Sequence, residues 1–150
     1  MQNITKLYDL MERVAHKYAQ FEKKTLKIDE DLILTHVEVH TIACIGDHSN
    51  LNLSTLANLR GISKSAASQM ISRLRKKDLV NKQPSPDSEA AIILTLTESG
   101  QKVYEYHKKH HENTNSGIFR ILRELPENSG DALIAALNEF NAQLDTWLNE

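Results

Sequence analysis

Two pairs of histidines are the residues of this chain whose type and spacing best suit metal binding. His36 and His40 lie four residues apart, and so do His107 and His111. Residues at this spacing share one face of a helix, so their two imidazoles can bind one metal ion. His110 belongs to the second group, and a small helix rotation would change which two of its three histidines point inward. A solvated polar helix tail is the alternative interpretation of this second group.

A second set of polar side chains has the pattern of a DNA-reading helix. A short helix from Leu53, a turn at Gly61 and a helix beginning after Ser63 are typical of a helix-turn-helix, whose second helix enters the major groove. Hydroxyls and amides can contact base edges there, whereas Lys and Arg favour phosphates or guanine. The predicted DNA-binding residues are Ser63, Lys64, Ser65, Ser68, Gln69, Ser72, Arg73 and, beyond the helix, Lys82.

Apolar residues predict how the two helices of this motif pack. Leu56, Ala57 and Leu59 are expected to form the buried side of the first helix, with Ala57 small where the second helix crosses closely. The inner face of the second helix is expected at Ala67, Met70, Ile71 and Leu74. Gly61 supplies the permissive backbone between the helices.

The residues after this motif predict a β-hairpin, the wing of a winged helix. Prolines at positions 84 and 86 flank a polar tip, and the β-branched run that follows favours a returning strand. Thr97 is the predicted N-cap of the next helix, which we expect to extend from about Glu98 to Leu125.

Amphipathic helices are predicted at both ends of the chain. Apolar residues recur every three or four positions from Ile4 to Phe21 and from Leu133 to Leu148. The apolar faces of these two helices must pack against something, and we expect a second copy of the chain, which predicts a homodimer. The alternative is that both helices complete the core of a monomer. A two-fold axis would place two reading helices about one DNA turn apart.

The expected fold is therefore mainly α with a small β wing. We predict a single domain over 1–150, in which a winged helix-turn-helix occupies about 32–97. The dimerisation helices are expected at about 1–30 and 98–150.

Composition narrows the class of protein. The 150 residues, 40% hydrophobic and 25% charged with net charge −2, fit one small soluble domain. No apolar run reaches membrane-spanning length and the first residues lack a signal peptide's apolar core, so we expect a cytoplasmic protein. A lone Cys44 fits a reducing compartment. An enzyme is not expected, because HExxH, a nucleophile elbow and a phosphate-cradling glycine loop are all missing.

These motifs together resemble the MarR family of winged-helix regulators. The resemblance covers about residues 30–107 and rests on Leu34-Thr35, both helices of the motif, Lys77-Asp78-Leu79-Val80, the Pro86-Asp87 turn and Leu96-Thr97-Glu98-Ser99-Gly100. It implies a dimeric transcriptional repressor that binds a palindromic operator in double-stranded DNA and responds to a ligand. One departure is that Glu89 and Ala90 stand where the family's wing generally carries arginine, which predicts weaker minor-groove contact by the wing.

The histidine spacing resembles the zinc-sensing branch of that family. There one zinc ion joins a glutamate of the first helix, a histidine of the second helix and an i, i+4 histidine pair on the long dimerisation helix. The matching positions are Glu22, His40, His107 and His111. The resemblance implies zinc as a corepressor that fixes the winged helix relative to the dimer base. A second metal site of that branch's design is not expected, because Ile28 and Val39 occupy two of its ligand positions; Glu30 or Glu38 as a substitute ligand is the alternative.

Three other interpretations stay open. A small aromatic or lipophilic ligand could replace zinc as the effector, leaving the histidines without a role in sensing. Cys44, which continues the stripe of His36 and His40, could sense oxidants or be a small buried hydrophobe. A chain with Glu89 and Ala90 in its wing could also be a protein-interaction module with weakened DNA binding.

Overall fold

The computed structural model describes residues 2–113 and 117–148, except for the side chains at positions 2, 89, 90, 111–113 and 118. The chain divides into two compact units, Met1–Lys109 and His110–Glu150. The first unit contains, in chain order, α1 (Gln2–Glu22), β1 (Thr25–Lys27), β2 (Ile33–Thr35), α2 (His36–Asp47), α3 (Leu53–Arg60), α4 (Lys64–Lys76), β3 (Val80–Ser85), β4 (Ser88–Leu96) and most of α5 (Glu98–Asn113). The second contains α6 (Gly117–Arg123) and α7 (Ser129–Leu148).

Helices α3 and α4 form the predicted helix-turn-helix, and their ends are capped by local chemistry. The side chain of Asn52 accepts a hydrogen bond from the Thr55 amide at 2.9 Å, which begins α3. Gly61 ends α3 in the left-handed conformation, with φ 60°. Ser63 then accepts from the Ala66 amide at 3.1 Å and begins α4. The predicted roles of Gly61 and Ser63 are confirmed.

Strands β3 and β4 form the predicted wing. They pair antiparallel, with Val80 opposite Leu96 and Lys82 opposite Leu94, and the register shifts between Pro84 and Ser85. The Leu94 amide donates to the Leu51 carbonyl at 2.7 Å, which attaches the wing to the segment before α3. Thr97 caps α5 as predicted, because its hydroxyl accepts from the Gly100 amide at 3.0 Å.

A second hairpin, β1 and β2, precedes α2 and was not predicted from the sequence. Thr25 pairs with Thr35 and Lys27 with Ile33, while Asp29 closes the turn by accepting from the Leu32 amide at 2.8 Å. Strands of three residues are too short to show an alternating pattern. The hairpin delivers Thr35 to the N-terminus of α2, where Thr35 and Glu38 form a capping box.

The core of the first unit lies between α2, the helix-turn-helix, the wing and α5. The predicted inner face of α4 is fully confirmed, since Ala67, Met70, Ile71 and Leu74 are all buried. Leu59 was expected on the buried side of α3, but it is 50% exposed. Leu56 and Ala57 set the buried face, and at about 100° per residue Arg60 falls between them, whereas Leu59 lies about 160° from Ala57.

The second unit has little core of its own. Every described residue of α7 is at least partly exposed, including Leu137 and Trp147. The helix expected from Glu98 to Leu125 is described as α5 and α6, and residues 114–116 between them lie outside the description. Across the described residues, no helix combines the length and apolar character needed to cross a membrane.

Candidate metal and DNA-binding sites

Three helices of the first unit bring together three of the four residues predicted to bind zinc. Glu22 is the last residue of α1, His40 lies in α2 and His107 lies in α5. Glu22 Oε1 lies 3.4 Å from His40 Nδ1, and both side chains are about one-fifth exposed. The rings of His40 and His107 meet edge to face, with 5.3 Å between their centroids. We call Glu22, His40 and His107 the inter-helix cluster.

The donor chemistry and one distance of the inter-helix cluster fit zinc. Zinc in proteins binds imidazole nitrogen and carboxylate oxygen at about 2.0–2.2 Å, so two ligands of a tetrahedral ion lie roughly 3.3–3.5 Å apart. The separation of Glu22 Oε1 and His40 Nδ1 is already of this size. Within the described side chains, however, no group of three or more His, Cys, Asp or Glu has the convergence needed to hold a metal. Binding would therefore require His107 to turn toward the first two ligands.

The remaining histidines of the second group are His110 and His111. His111 lies in α5, but its side chain is outside the described residues. His110 is exposed on the same helix. Among the described side chains of the first unit, His107 lies against His40.

Arg60 is part of this site and was missed by the sequence analysis. Its guanidinium donates to Glu22 Oε1 at 2.9 Å, and its side chain is 21% exposed. Arg60 ends α3 four residues after the buried Leu56, so it lies on the inner face of α3. Its position on the buried side of a short helix, unusual for a charged residue, was the sequence signal that could have identified Arg60.

Glu38 is also engaged in a way that the sequence did not reveal. Its Oε1 accepts from Lys77 Nζ at 2.8 Å, and its Oε2 accepts from the Thr35 amide at 2.8 Å. Burial acts to raise the pKa of Glu38, but the hydrogen bonds from Lys77 and Thr35 outweigh it and the pKa is lowered. Val39, at one of the positions discussed for a second metal site, is buried in the core.

The surroundings of Cys44 favour its interpretation as a small buried hydrophobe. The residue is partly buried and packs against the core. Burial raises the pKa of the Cys44 thiol, and the nearby Arg60 only partly opposes that effect. A thiol with a raised pKa is a poor redox sensor, because the thiolate is the reactive form.

The predicted DNA-binding residues form an exposed surface on α4 and the wing. Seven of the eight are exposed and Ser68 is partly buried. Arg73 is exposed, and its guanidinium contacts the sulfur of Met70 at 3.8 Å. Basic side chains cluster at the end of α4, which suits phosphate contact. The side chains of Glu89 and Ala90 are outside the described residues.

A cavity of about 500 Å³ lies between the hairpin turn and α5. Its lining includes Asp29, Glu30 and Asp31 on one side and Lys77 and Lys102 on the other. So many charged groups suit a lipophilic ligand poorly, because such pockets are usually lined by apolar and aromatic side chains.

Comparison with known proteins finds a family match and two similar folds. Residues 34–89 match the MarR family model. The chain is 22% identical to the HTH-type transcriptional regulator PchR of Bacillus subtilis (strain 168) over 156 aligned positions, covering 97% of this chain and 92% of PchR. Its fold matches a MarR/EmrR family transcriptional regulator from Acinetobacter sp. ADP1 with a TM-score of 0.74, 18% identity and coverage of 95% and 96% of the two chains.

A second solved structure is similar along nearly the whole chain. It is ZitR of Lactococcus lactis, described as a zinc-responsive MarR family member, with a TM-score of 0.62, 16% identity and coverage of 94% of this chain and 99% of ZitR. MarR proteins are transcriptional regulators, not enzymes. The matched segment contains both helices of the helix-turn-helix and the first strand of the wing, so residues 34–89 of this chain match the MarR family over its DNA-reading part.

Proposed function

We propose that this chain is a zinc-responsive repressor, in which zinc acts as a corepressor. The observation that carries the proposal is the inter-helix cluster, where Glu22, His40 and His107 meet from α1, α2 and α5. His111 would be the fourth ligand, because it follows His107 by four residues on α5. The zinc-responsive description of ZitR adds support from a protein with the same fold.

The chain's own packing explains how this site could control DNA binding. Bound zinc would supply a positive charge and a cross-link among the helices that carry its ligands. Helix α2 packs against α3 and β4, and α3 packs against α4. A change in the angle between α1 and α2 would therefore reach the reading helix. Any ligand that favours the DNA-competent angle shifts the population toward it.

DNA recognition is assigned to the exposed side of α4. Gln69, Ser65 and Ser72 have the donors and acceptors to contact base edges, while Lys64 and Arg73 can reach phosphates or guanine. Lys82 would give the wing a phosphate contact. We propose a homodimer on a palindromic operator, so that each α4 reads one half-site. A cytoplasmic location, where such an operator would lie, stays a prediction.

Zinc-dependent binding to operator DNA tests the proposal. The operator would first be selected from a random DNA library with zinc present. We expect zinc to raise the DNA affinity of the natural chain about tenfold or more, and His107→Ala and His111→Ala to lose that response. His16→Ala is the matched control, since it removes an exposed imidazole of α1. A response that survives in both α5 variants would refute the proposed site.

The same experiment separates the other candidate functions. An organic effector would change DNA binding in the presence of a chelator and leave the histidine variants unaffected. A protein-interaction module would show little salt-sensitive DNA binding, because phosphate contacts release counterions.

A further inference from the structure

We propose that Arg60 is an internal competitor of the metal for Glu22, and that it couples the metal site to the helix-turn-helix. This inference rests on the proposed function and names how that site is regulated. Arg60 lies in neither the predicted ligand set nor the reading helix, and it is the last residue of α3.

The competition follows from the atoms involved. Arg60 donates to Glu22 Oε1 at 2.9 Å, and the same oxygen lies 3.4 Å from His40 Nδ1. The oxygen that faces the histidine is thus the oxygen that Arg60 occupies. A zinc ion bound between Glu22 and His40 would need a lone pair of that oxygen and would lie close to the guanidinium, with which it shares the sign of its charge. Arg60 and zinc therefore compete for Oε1, and zinc binding should weaken the hydrogen bond from Arg60.

The coupling follows from the elements that the ion pair joins. Glu22 ends α1, whereas Arg60 ends the first helix of the helix-turn-helix. Since α3 packs directly against α4, the Arg60–Glu22 ion pair holds the reading helix to α1. Zinc binding would exchange this direct tether for one that runs through α2 and α5. The DNA-binding surface is then held by the Arg60–Glu22 ion pair in the metal-free protein and by the zinc ligands in the zinc-bound protein.

A supporting role for Arg60 makes the opposite prediction. Carboxylates that bind metals are often oriented by a hydrogen bond from a second residue, and removing that residue weakens metal binding about tenfold or more. Removing a competitor has the opposite effect and strengthens metal binding, because it frees the carboxylate of Glu22. The sign of the change in zinc affinity on replacing Arg60 thus decides between the two roles.

The test compares zinc affinity by chelator competition in the metal-free natural chain, Arg60→Gln, Arg60→Lys and Arg13→Gln. We expect Arg60→Gln to bind zinc about fivefold more tightly, which is the scale of a partly exposed ion pair. Arg60→Lys keeps a cation and should lie between the two. Arg13→Gln removes the same charge from α1 more than two helical turns before Glu22, and should match the natural chain.

Operator binding provides a second readout. In Arg60→Gln the ratio of DNA affinity with and without zinc should shrink, because the metal-free tether is already lost. The salt dependence of DNA binding should stay that of the natural chain; a reduction by about one unit of slope would mean that Arg60 contacts a phosphate.

The outcomes separate the two claims. Unchanged or weaker zinc binding in Arg60→Gln, with zinc binding intact in the natural chain, overturns the competition and leaves the zinc sensor standing. If neither the natural chain nor Arg60→Gln binds zinc, both the competition and the zinc sensor are refuted. Tighter binding by Arg60→Gln with an unchanged DNA response removes the coupling alone.

Discussion

Single charged side chains hold the winged helix in place at two points, Glu22 and Glu38. Glu38 is the more buried, with 8% of its side chain exposed, and it joins the start of α2 to Lys77 at the end of α4. A carboxylate enclosed in this way is stabilising only while its partner remains, since an unpaired buried charge is costly.

Glu38 should make the stability of the protein depend on acid. Its pKa in the folded protein is lowered from an ordinary value of 4.5, so its contribution is fully present above about pH 4.5 and is lost as pH falls through the lowered pKa. We expect Glu38→Gln to lower the free energy of unfolding at pH 7 by about 1–3 kcal/mol. The difference from the natural chain should shrink toward pH 3, as measured by denaturant unfolding.

The matched control for Glu38 is Glu98→Gln. Glu98 also pairs with a lysine, at 3.1 Å to Lys102, but 88% of its side chain is exposed. Solvent screens such a pair, so this variant should leave stability and its pH dependence nearly unchanged. A Glu38→Gln variant as stable as Glu98→Gln at pH 7 would show that the buried pair contributes nothing.

The sequence predicted the three residues of the inter-helix cluster but not Arg60. Helical spacing paired His107 with His111, and the family resemblance added Glu22 and His40. The spacing of Arg60 from Leu56 could have placed it on the inner face of α3, but it could not have identified its partner, which lies 38 positions earlier. Contacts between residues so far apart follow from tertiary packing, which spacing within one helix does not encode.

Among the elements, the contact between α2 and α5 decides where His107 lies. Gly46 of α2 faces the ring of Tyr104 in α5, and the Tyr104 hydroxyl donates to Asp47 at 2.6 Å. A Cβ at position 46 would lie 2.5 Å from Tyr104 Cδ2. The glycine therefore lets α5 approach α2, and His107 follows Tyr104 by three residues.

Gly46→Ala should separate these two helices. Overfilling a packed contact costs about 1–3 kcal/mol, so we expect a lower free energy of unfolding together with weaker zinc binding as His107 moves from His40. Gly130→Ala in α7 is the control, because a Cβ there meets nothing within 4 Å and should be neutral or slightly stabilising. Normal stability and zinc affinity in Gly46→Ala would contradict this account of the contact.

Two longer elements, α4 and the wing, were predicted in full, whereas the shorter ones were predicted in part or missed. The face of α4 from Ala67 to Leu74 repeats over two turns, and the wing alternates with turn residues at its tip, so both patterns were specific. The strands of the first hairpin have three residues each, and α3 has eight, which left Leu59 on the wrong side of the prediction. Short elements are placed by their partners more than by their own periodicity.

For the whole molecule, the exposed apolar residues of α1 and α7 require a partner. Ile4 is 73% exposed and Trp147 is 54% exposed. Exposed apolar faces of this extent mark interaction surfaces. A second copy of the chain is the partner that the proposed palindromic operator would require.

A charge on α7 should therefore break the dimer. We expect the natural chain to have the mass of a dimer by light scattering at micromolar concentration, and Leu137→Lys to shift toward the monomer and bind operator DNA more weakly. Gln143→Lys adds the same charge at an exposed polar position of α7 and should remain dimeric. A natural chain that is monomeric in free solution and on DNA would contradict the dimer.

The central claim is that zinc is the signal, and the most direct test is zinc binding to the metal-free protein by chelator competition, with the stoichiometry per chain. The account predicts at least one zinc per chain, held tightly, and a large loss of affinity in His40→Ala and His107→Ala. Weak binding that is equal in the natural chain and both variants would contradict it, and would leave a winged-helix regulator whose effector is another molecule.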